Sequence, residues 1–350
     1  MKIVTVSSHS CIRGHKEAIP LIKKGYELHT IARKKPSFMN YYHTFSLYHD
    51  IGQCIESIKL HKDADIFHVH NEPSWFVCAI KEVTDIPVVL DVHDTFLTRS
   101  TPEQAQDAED NNQPHVRVTA EERNAFQAAD ALVFVSDTVR HDTMSEFCLS
   151  QPSIVLPSYV PKDFYKYHFK EWLGGLVYEG RVTVPTEYEG LKNGTGAGYC
   201  DYLEVCEKTK GINMDFHLYP GRNDDLFLDH YSEKAVIHPG YQFDDLLSQV
   251  SRHDWGLVGN LVDSPQWRKT LPNKLFDYLA SGVPVVCINA DESSKIVSEH
   301  GIGITVESVQ ELSERWPEHR KCRESMWKSR MKLSMEENIQ PLIDLYKSLA

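Results

Sequence analysis

The sequence has no CxxC pair, no internal repeat, no low-complexity tract and no excess of basic residues. Its eight cysteines, Cys11, Cys54, Cys78, Cys148, Cys200, Cys206, Cys287 and Cys322, are scattered, which argues against a zinc ribbon or a disulfide-stapled scaffold. They read as reduced, mostly buried thiols. A formal charge of −13 argues against a protein that binds by neutralising phosphate backbones, so nucleic acid is not an expected partner. Basic residues do crowd in one place, at Arg315, Arg320, Lys321, Arg323, Lys328, Arg330 and Lys332. Glu311, Glu314, Glu318 and Glu324 balance them as on a solvated helix face; contact with an anionic lipid surface or a nucleic acid is the other use of such a patch. The apolar run at residues 1–6 is too short for a signal peptide or a membrane span. With the unpaired thiols it implies a cytoplasmic setting, peripheral contact at the inner membrane face being a variant of it.

What is present is 41% apolar and 25% charged residues over 350 positions, enough for two domains with a core each. Short Val- and Ile-rich runs alternate with amphipathic stretches of helical length, the pattern of βαβ units in parallel sheets. Strands are predicted at 2–6, 26–32, 66–70, 88–92 and 131–135, with helices at 16–24, 50–61, 75–83 and 120–129. The pattern restarts with strands at 175–178, 215–219, 236–238, 255–258, 283–288 and 303–306, and helices at 200–208, 243–250, 272–280 and 293–299. Prolines at 157 and 161 break both periodicities, which places a boundary between 157 and 170. The expectation is an α/β chain of two Rossmann-like, doubly wound domains facing a central cleft. Residues 1–162 form the first domain, 163–325 the second, and 326–350 a C-terminal helix packing back across them. Two segments leave the rhythm: 98–117, a candidate lid or acceptor contact, and 181–198, whose glycines could admit a diphosphate or merely connect.

The most informative stretch is PNKLFDYLASGVPVV at 272–286. Pro272 suits the first turn of a helix, and Gly282 with Pro284 ends it before a buried strand. A helix start presents free N–H groups and partial positive charge, to which Lys274 adds a full charge, making a seat for a diphosphate. Asp277, three residues on, shares a face with Lys274 and could accept hydrogen bonds from ribose hydroxyls. An i,i+3 ion pair on a capped surface helix explains the same residues without a ligand.

This stretch resembles the donor-site motif of retaining GT-B glycosyltransferases of family 4. The likeness extends through ADIFHVH at 64–70, PVVLDVHD at 87–94, ADALVFVS at 129–136, VYEGR at 177–181, VIHPGY at 236–241 and GIG at 301–303, in the family's order. The resemblance implies transfer of a hexose from a UDP- or GDP-linked sugar to an acceptor hydroxyl, with retention and without a metal or other cofactor. The acceptor is left open as a saccharide, a lipid-linked glycan or another hydroxyl. By the same resemblance Lys274 and Arg181 neutralise the departing diphosphate, and His93 is the active-site histidine facing the sugar. Asp277 stands where the family usually has Glu and holds the ribose. Main chain at Tyr241 and Gln242 borders the base, Asn273 and Leu275 flank Lys274 in the donor site, and Gly14 remains of the glycines that admit the donor. Two departures bear on activity. Lys269 stands where the family has the first of two glutamates, and the lysine usual shortly after Arg181 is missing, Lys192 being the nearest.

Other readings of these residues are a non-catalytic nucleotide-sugar binding protein, a sugar-nucleotide epimerase and a DNA-modifying glucosyltransferase, all on the same scaffold. Asp63-Ala64-Asp65 has the DxD form of metal-dependent transferases but precedes a strand, the wrong edge of a parallel sheet. His68, His70 and His93-Asp94 would suit a zinc or dimetal hydrolase, or equally a set of buried, hydrogen-bonded histidines. Asn193-Gly194-Thr195 has the form of a glycosylation sequon, idle in a cytoplasmic protein.

Overall fold

A computed structural model describes residues 1–8, 11–34, 41–70, 75–95, 98, 114–166, 171–187 and 197–350. Two compact units divide the chain: one of residues 1–97, 106–161 and 335–350, the other of 98–105 and 162–334. The chain passes from the first to the second at Pro161 and returns to the first at Met335.

The first unit holds a parallel sheet of seven strands: β1 (Lys2–Ser7), β2 (Glu27–Ala32), β3 (Thr44–Leu47), β4 (Ile66–His70), β5 (Val88–Val92), β6 (Ala131–Phe134) and β7 (Ser153–Val155), in the order β3-β2-β1-β4-β5-β6-β7. The register pairs Val4 with both His29 and Phe67, and Val69 with Leu90. Strands covered on both faces need no polar alternation, which is why β4 and β5 are buried at all five positions. Val4, Val69, Val88 and Leu132 are 0% exposed, and each such side chain contributes roughly 1.5–3 kcal/mol to the core. Helices Ile12–Lys23, Ile51–Lys59, Trp75–Val83, Pro114–Ala128 and Asp137–Glu146 connect the strands. The closing helix Gln340–Leu349 packs beside β7.

The second unit repeats the plan with six strands: β8 (Leu176–Glu179), β9 (Phe216–Tyr219), β10 (Val236–Ile237), β11 (Trp255–Gly259), β12 (Val285–Ile288) and β13 (Gly303–Thr305), in the order β10-β9-β8-β11-β12-β13. Trp255, Leu257, Val286 and Ile288 are 0% exposed at its centre. In each sheet the strand order reverses beside the first strand, between β1 and β4 and between β8 and β11. Loops leaving the carboxyl ends of strands diverge at such a point and open a crevice, so both sheets are built to bind there.

Every strand expected from the sequence is present, and two more, β3 and β7, extend the edges of the first sheet. The first helix begins at Ile12, earlier than the periodicity places it. All eight cysteines are free, with Cys11, Cys54, Cys200, Cys206, Cys287 and Cys322 buried and Cys148 exposed. Among the described residues no helix is long and apolar enough to cross a membrane. Most of the 98–117 segment and of the glycine-rich stretch with Lys192 lies outside the described residues.

Candidate functional site

The 272–286 segment forms the helix Asn273–Ser281 with Pro272 as its N-cap. Gly282 ends it in the left-handed region at φ 77°, a conformation that costs a side-chain-bearing residue energy, and its N–H turns back to the Leu279 carbonyl at 3.1 Å. The helix is fastened from below. Leu275 and Tyr278 are 0% exposed, and the Tyr278 hydroxyl lies 3.3 Å from the Val177 carbonyl on β8 and 3.2 Å from that of Leu257 on β11. The first-turn N–H groups have no acceptor within a helix, although that of Leu275 bends back to Pro272 O at 3.2 Å. Leu275 is buried in this packing, while Asn273 is exposed at the helix start. Asp277 is buried, at 4% exposure, one turn behind Lys274.

Beside this helix start a cleft of about 480 Å³ opens at the carboxyl ends of β8, β9 and β10. Glu179, Gly180, Arg181, Tyr219, Arg222 and Tyr241 are among its lining residues. Gly180 has φ 118°, and a Cβ there would sit 3.3 Å from Lys274 Nζ, so the lysine lies directly behind the cleft wall. The Lys274 ammonium is held between two rings, 5.0 Å from the centroid of Tyr178 and 5.2 Å from that of Trp267. Rings attract a cation without neutralising it. Among the described residues no carboxylate is within ion-pair distance of Lys274 or Arg181. The field of both cations is felt at Cys200, where burial pushes the thiol up to about 11 while Lys274 and then Arg181 pull against that rise. Arg222, by contrast, is committed to Asp224 through Nε at 2.6 Å. Lys269 ends the helix Pro265–Lys269, whose Trp267 forms part of the lysine's cage.

The far side of the cleft is aromatic. Tyr241 is 36% exposed and lies 6.0 Å from Tyr219, which stacks on His238 at 4.2 Å and 3°. Gln242 caps the start of the helix Phe243–Val250. Beneath them His217 Nδ1 and His238 Nε2 are 2.9 Å apart, and His253 bonds Tyr219 Oη through Nε2 at 3.0 Å and the Gly174 carbonyl through Nδ1 at 2.8 Å. Burial holds His238 at about 4 and His253 at about 3, with His217 adding repulsion to both. The three rings lie close enough together to hold a metal ion, but both nitrogens of His253 are already engaged, so they act as the neutral floor under Tyr219.

The first unit carries a second set of polar groups at its own crevice. Arg13 and Glu17 come from the helix after β1, His68 and His70 from β4, Asp91 from β5 and His93 from just beyond it. Arg13 Nε lies 2.6 Å from Asp91 Oδ2, the carboxylate also lying 3.2 Å from His70 Nδ1 and 3.5 Å from His93 Nε2. Against the cost of burial, Arg13 and then His93 hold Asp91 well below the usual carboxylate range. Burial alone would lower His93, but Cys11, 3.9 Å away, and then Asp91 outweigh it and raise it to about 10. Burial and the Asp91 charge push Glu17 up to about 7. Tyr346, from the closing helix, bonds His68 Nδ1 at 2.6 Å. Gly14 lies in the first helical turn, where a Cβ would stand 3.2 Å from the His70 ring; its smallness serves that helix-to-strand approach. Cys11, His70 and His93, like Glu17, His68, His70 and Asp91, cluster at metal-ligating distances. Arg13 already supplies the cation on the shared carboxylate. The DxD residues are engaged at the opposite edge, Asp63 in an ion pair with Lys2 Nζ at 2.6 Å and Asp65 accepting a hydrogen bond from the Lys2 backbone N–H at 2.6 Å.

The sequence picked out Arg181 and Tyr241, which line one cleft, Lys274, which lies behind that cleft's wall at Gly180, and His93 and Gly14, which lie at the other crevice. It missed Tyr178, Trp267 and Tyr219, whose roles come from neighbours distant along the chain. Arg13 and Asp91 were equally silent, since nothing local announces a pair 78 positions apart.

Residues 9–163 match the family model described as Glycosyltransferase Family 4, and residues 197–336 match that of the Glucosyltransferase 3-like C-terminal domain. Compared by sequence with curated proteins, the chain has no significant match. Among solved structures it is similar to a sucrose-phosphate synthase from Thermosynechococcus elongatus, with a TM-score of 0.70 at 13% identity over 100% of this chain and 99% of that one. It is also similar to Anabaena HepE, in complex with UDP and glucose (TM-score 0.66, 11% identity, 100% of each chain). A third is an alpha-glucosyltransferase in complex with UDP-glucose and DNA containing an abasic site (TM-score 0.65, 13% identity, 99% of each chain). The two family matches and the likeness to solved structures agree: the chain is a glycosyltransferase of the GT-B fold, with residues 9–163 matching the family 4 model.

Proposed function

We propose that the chain transfers a hexose from a nucleoside-diphosphate sugar to an acceptor hydroxyl, with retention and without a metal ion. The observation that carries this reading is the pair of cations, Arg181 in the cleft lining and Lys274 behind Gly180, with no carboxylate at ion-pair distance from either among the described residues. A diphosphate would supply the missing negative charge, and the helix start at Asn273 would add its dipole. The two cations then provide the charge stabilisation that a metal ion provides in other transferases. The base would rest against Tyr241 and the main chain at Gln242, and Asp277 would take the ribose. The neighbours with UDP or UDP-glucose make a uridine donor the first to try.

In the step itself the acceptor oxygen bonds to the anomeric carbon as the bond from that carbon to the diphosphate oxygen breaks. The acceptor proton passes to the departing phosphate on the same face. No protein nucleophile is needed, and the work of the site is positioning and charge stabilisation. His93 is read as the group that contacts the sugar. The formal charge of −13 favours a saccharide, a lipid-linked glycan or another small hydroxyl acceptor over duplex DNA.

Incubation with UDP-glucose, and then with a panel of other UDP- and GDP-sugars, should release free nucleotide slowly in the absence of acceptor. Arg181→Ala should cut that release by roughly two or more orders of magnitude, the scale for a lost charge-stabilising donor. Release at the wild-type rate from folded Arg181→Ala protein would contradict the assignment.

A further inference from the structure

A buried carboxylate that meets histidines while being gripped by an arginine does more than balance charge; it biases where their imidazoles point. Asp91 is 0% exposed in the middle of the first sheet's crevice, and Arg13, 1% exposed, approaches it through Nε at 2.6 Å. The remaining guanidinium nitrogens of Arg13 have no hydrogen-bond partner among the described residues, and its Nε also lies 3.3 Å from Glu17 Oε1, so its charge is shared between two carboxylates with Asp91 the nearer. From the other side His70 reaches the same oxygen at 3.2 Å and His93 at 3.5 Å. The His93 side chain is 17% exposed, so it is the member of the cluster that meets the crevice.

We infer that Asp91, pinned by Arg13, is the positioning residue for His93, holding the imidazole by its Nε2 edge so that the opposite edge is presented to the crevice. This rests on the reading of His93 as the sugar-contacting group. An imidazole held at one nitrogen has one orientation, and an adjacent carboxylate favours its protonated form, which is how second groups prepare a histidine for its task. The charged neighbours of His93 come from three elements. Asp91 stands on β5 and His68 and His70 on β4, while Cys11, Arg13 and Glu17 belong to the start of the helix that follows β1. Cys11 and Asp91 favour the imidazolium and burial opposes it, with the favourable contacts prevailing. With Nε2 turned to Asp91 at 3.5 Å and Cys11 Sγ 3.9 Å from each nitrogen, a cation at that position would offer its exposed part, as positive charge, to the ring oxygen or a hydroxyl of the sugar.

The test is an NMR titration of the histidine ring signals of the full chain, with His93 identified by the resonance lost in His93→Gln, run beside turnover of UDP-glucose against pH. In the wild type the His93 signal should remain that of the protonated ring through pH 8. In Asp91→Asn its midpoint should fall by about two units, within the range for removing an adjacent opposite charge. The pH profile of kcat/KM should acquire a loss on the alkaline side at the same midpoint. Asp91→Glu, which restores the charge with a longer reach, should return the titration toward wild type. Asp91→Asn leaves buried Arg13 with only Glu17, 3.3 Å away, and is destabilised, so the double variant Arg13→Leu/Asp91→Asn, with neither charge, serves if it does not fold. A His93 midpoint unchanged in either variant overturns the positioning role. Wild-type UDP-glucose turnover in His93→Gln instead overturns the reading of His93, and does so whatever the titration shows.

Discussion

Replacing Lys274 by Met removes one charge from the donor cleft and little else. Methionine keeps an unbranched, flexible chain able to lie between the rings of Tyr178 and Trp267 that now hold the lysine at 5.0 and 5.2 Å. The stability change is then mainly the lost cation–π attraction, about 1 kcal/mol for the two rings at this partly exposed position. For a unit of this size that is a fall in Tm of roughly 2–4 °C. Catalysis should respond on another scale. Losing a donor aimed at developing charge costs about 10²–10³ in kcat, or roughly 3–4 kcal/mol. Lys274 has no carboxylate at ion-pair distance among the described residues, so none of this is offset by freeing a partner. The assay pairs a thermal melt with nucleotide release from UDP-glucose. A variant melting within a few degrees of wild type and turning over at the wild-type rate refutes the reasoning. So does one whose lost activity is matched by gross unfolding.

Gly180→Ala tests the geometry behind that charge. At φ 118° a side-chain-bearing residue carries about 1–3 kcal/mol of strain, and the new Cβ would stand 3.3 Å from Lys274 Nζ. Both Tm and turnover should fall, and unchanged turnover would separate the lysine's position from its function. Stability against pH should be greatest near neutrality. His238 and His253 are held at about 4 and about 3, and His217 is also lowered, so the unfolded chain takes up protons below pH 6.5 that the folded chain does not. His15, held at about 4 by burial, acts the same way, while Glu17, raised to about 7, acts oppositely and offsets one of them. His93, raised to about 10, adds stability that is complete below 6.5 and lost as pH rises toward 10; the Cys11 thiol, lowered by His93, offsets part of that loss, while Cys54, Cys206 and Cys287, pushed by burial up to about 12, add to it near pH 9. Melts from pH 5 to 9 should therefore give a maximum between the two falls, and a Tm rising steadily toward pH 5 would contradict the burial of the His217–His238–His253 group.

Much of the architecture was legible because buried parallel strands leave uninterrupted apolar runs, as IFHVH and VVLDV do at β4 and β5. β3 and β7 escaped for the opposite reason. Thr44–Leu47 and Ser153–Val155 are short edge strands with no fully buried position, so neither a run nor an alternation marks them. The helix Asp137–Glu146 is almost wholly polar, and its Ser136 cap, which accepts from Val139 N at 3.2 Å, was the one local sign of it. In the candidate site the cations were readable, since Pro272, Lys274 and Gly282 sit on one bounded helix. The cage of Lys274 was not, because Tyr178 and Trp267 arrive from β8 and from the helix before it. The Arg13–Asp91 pair was hidden in the same way: its meaning lies in burial, and burial of a charge is set by the fold rather than by adjacent residues.

The central claim is that the start of the Asn273–Ser281 helix, with Lys274 and Arg181, grips a diphosphate. A crystal structure of the chain soaked with UDP addresses it directly. The account predicts phosphate oxygens within hydrogen-bond distance of Lys274 Nζ, the Arg181 guanidinium and first-turn N–H groups, with the uracil against Tyr241. UDP bound elsewhere, with that cleft closed or holding only solvent, would contradict it.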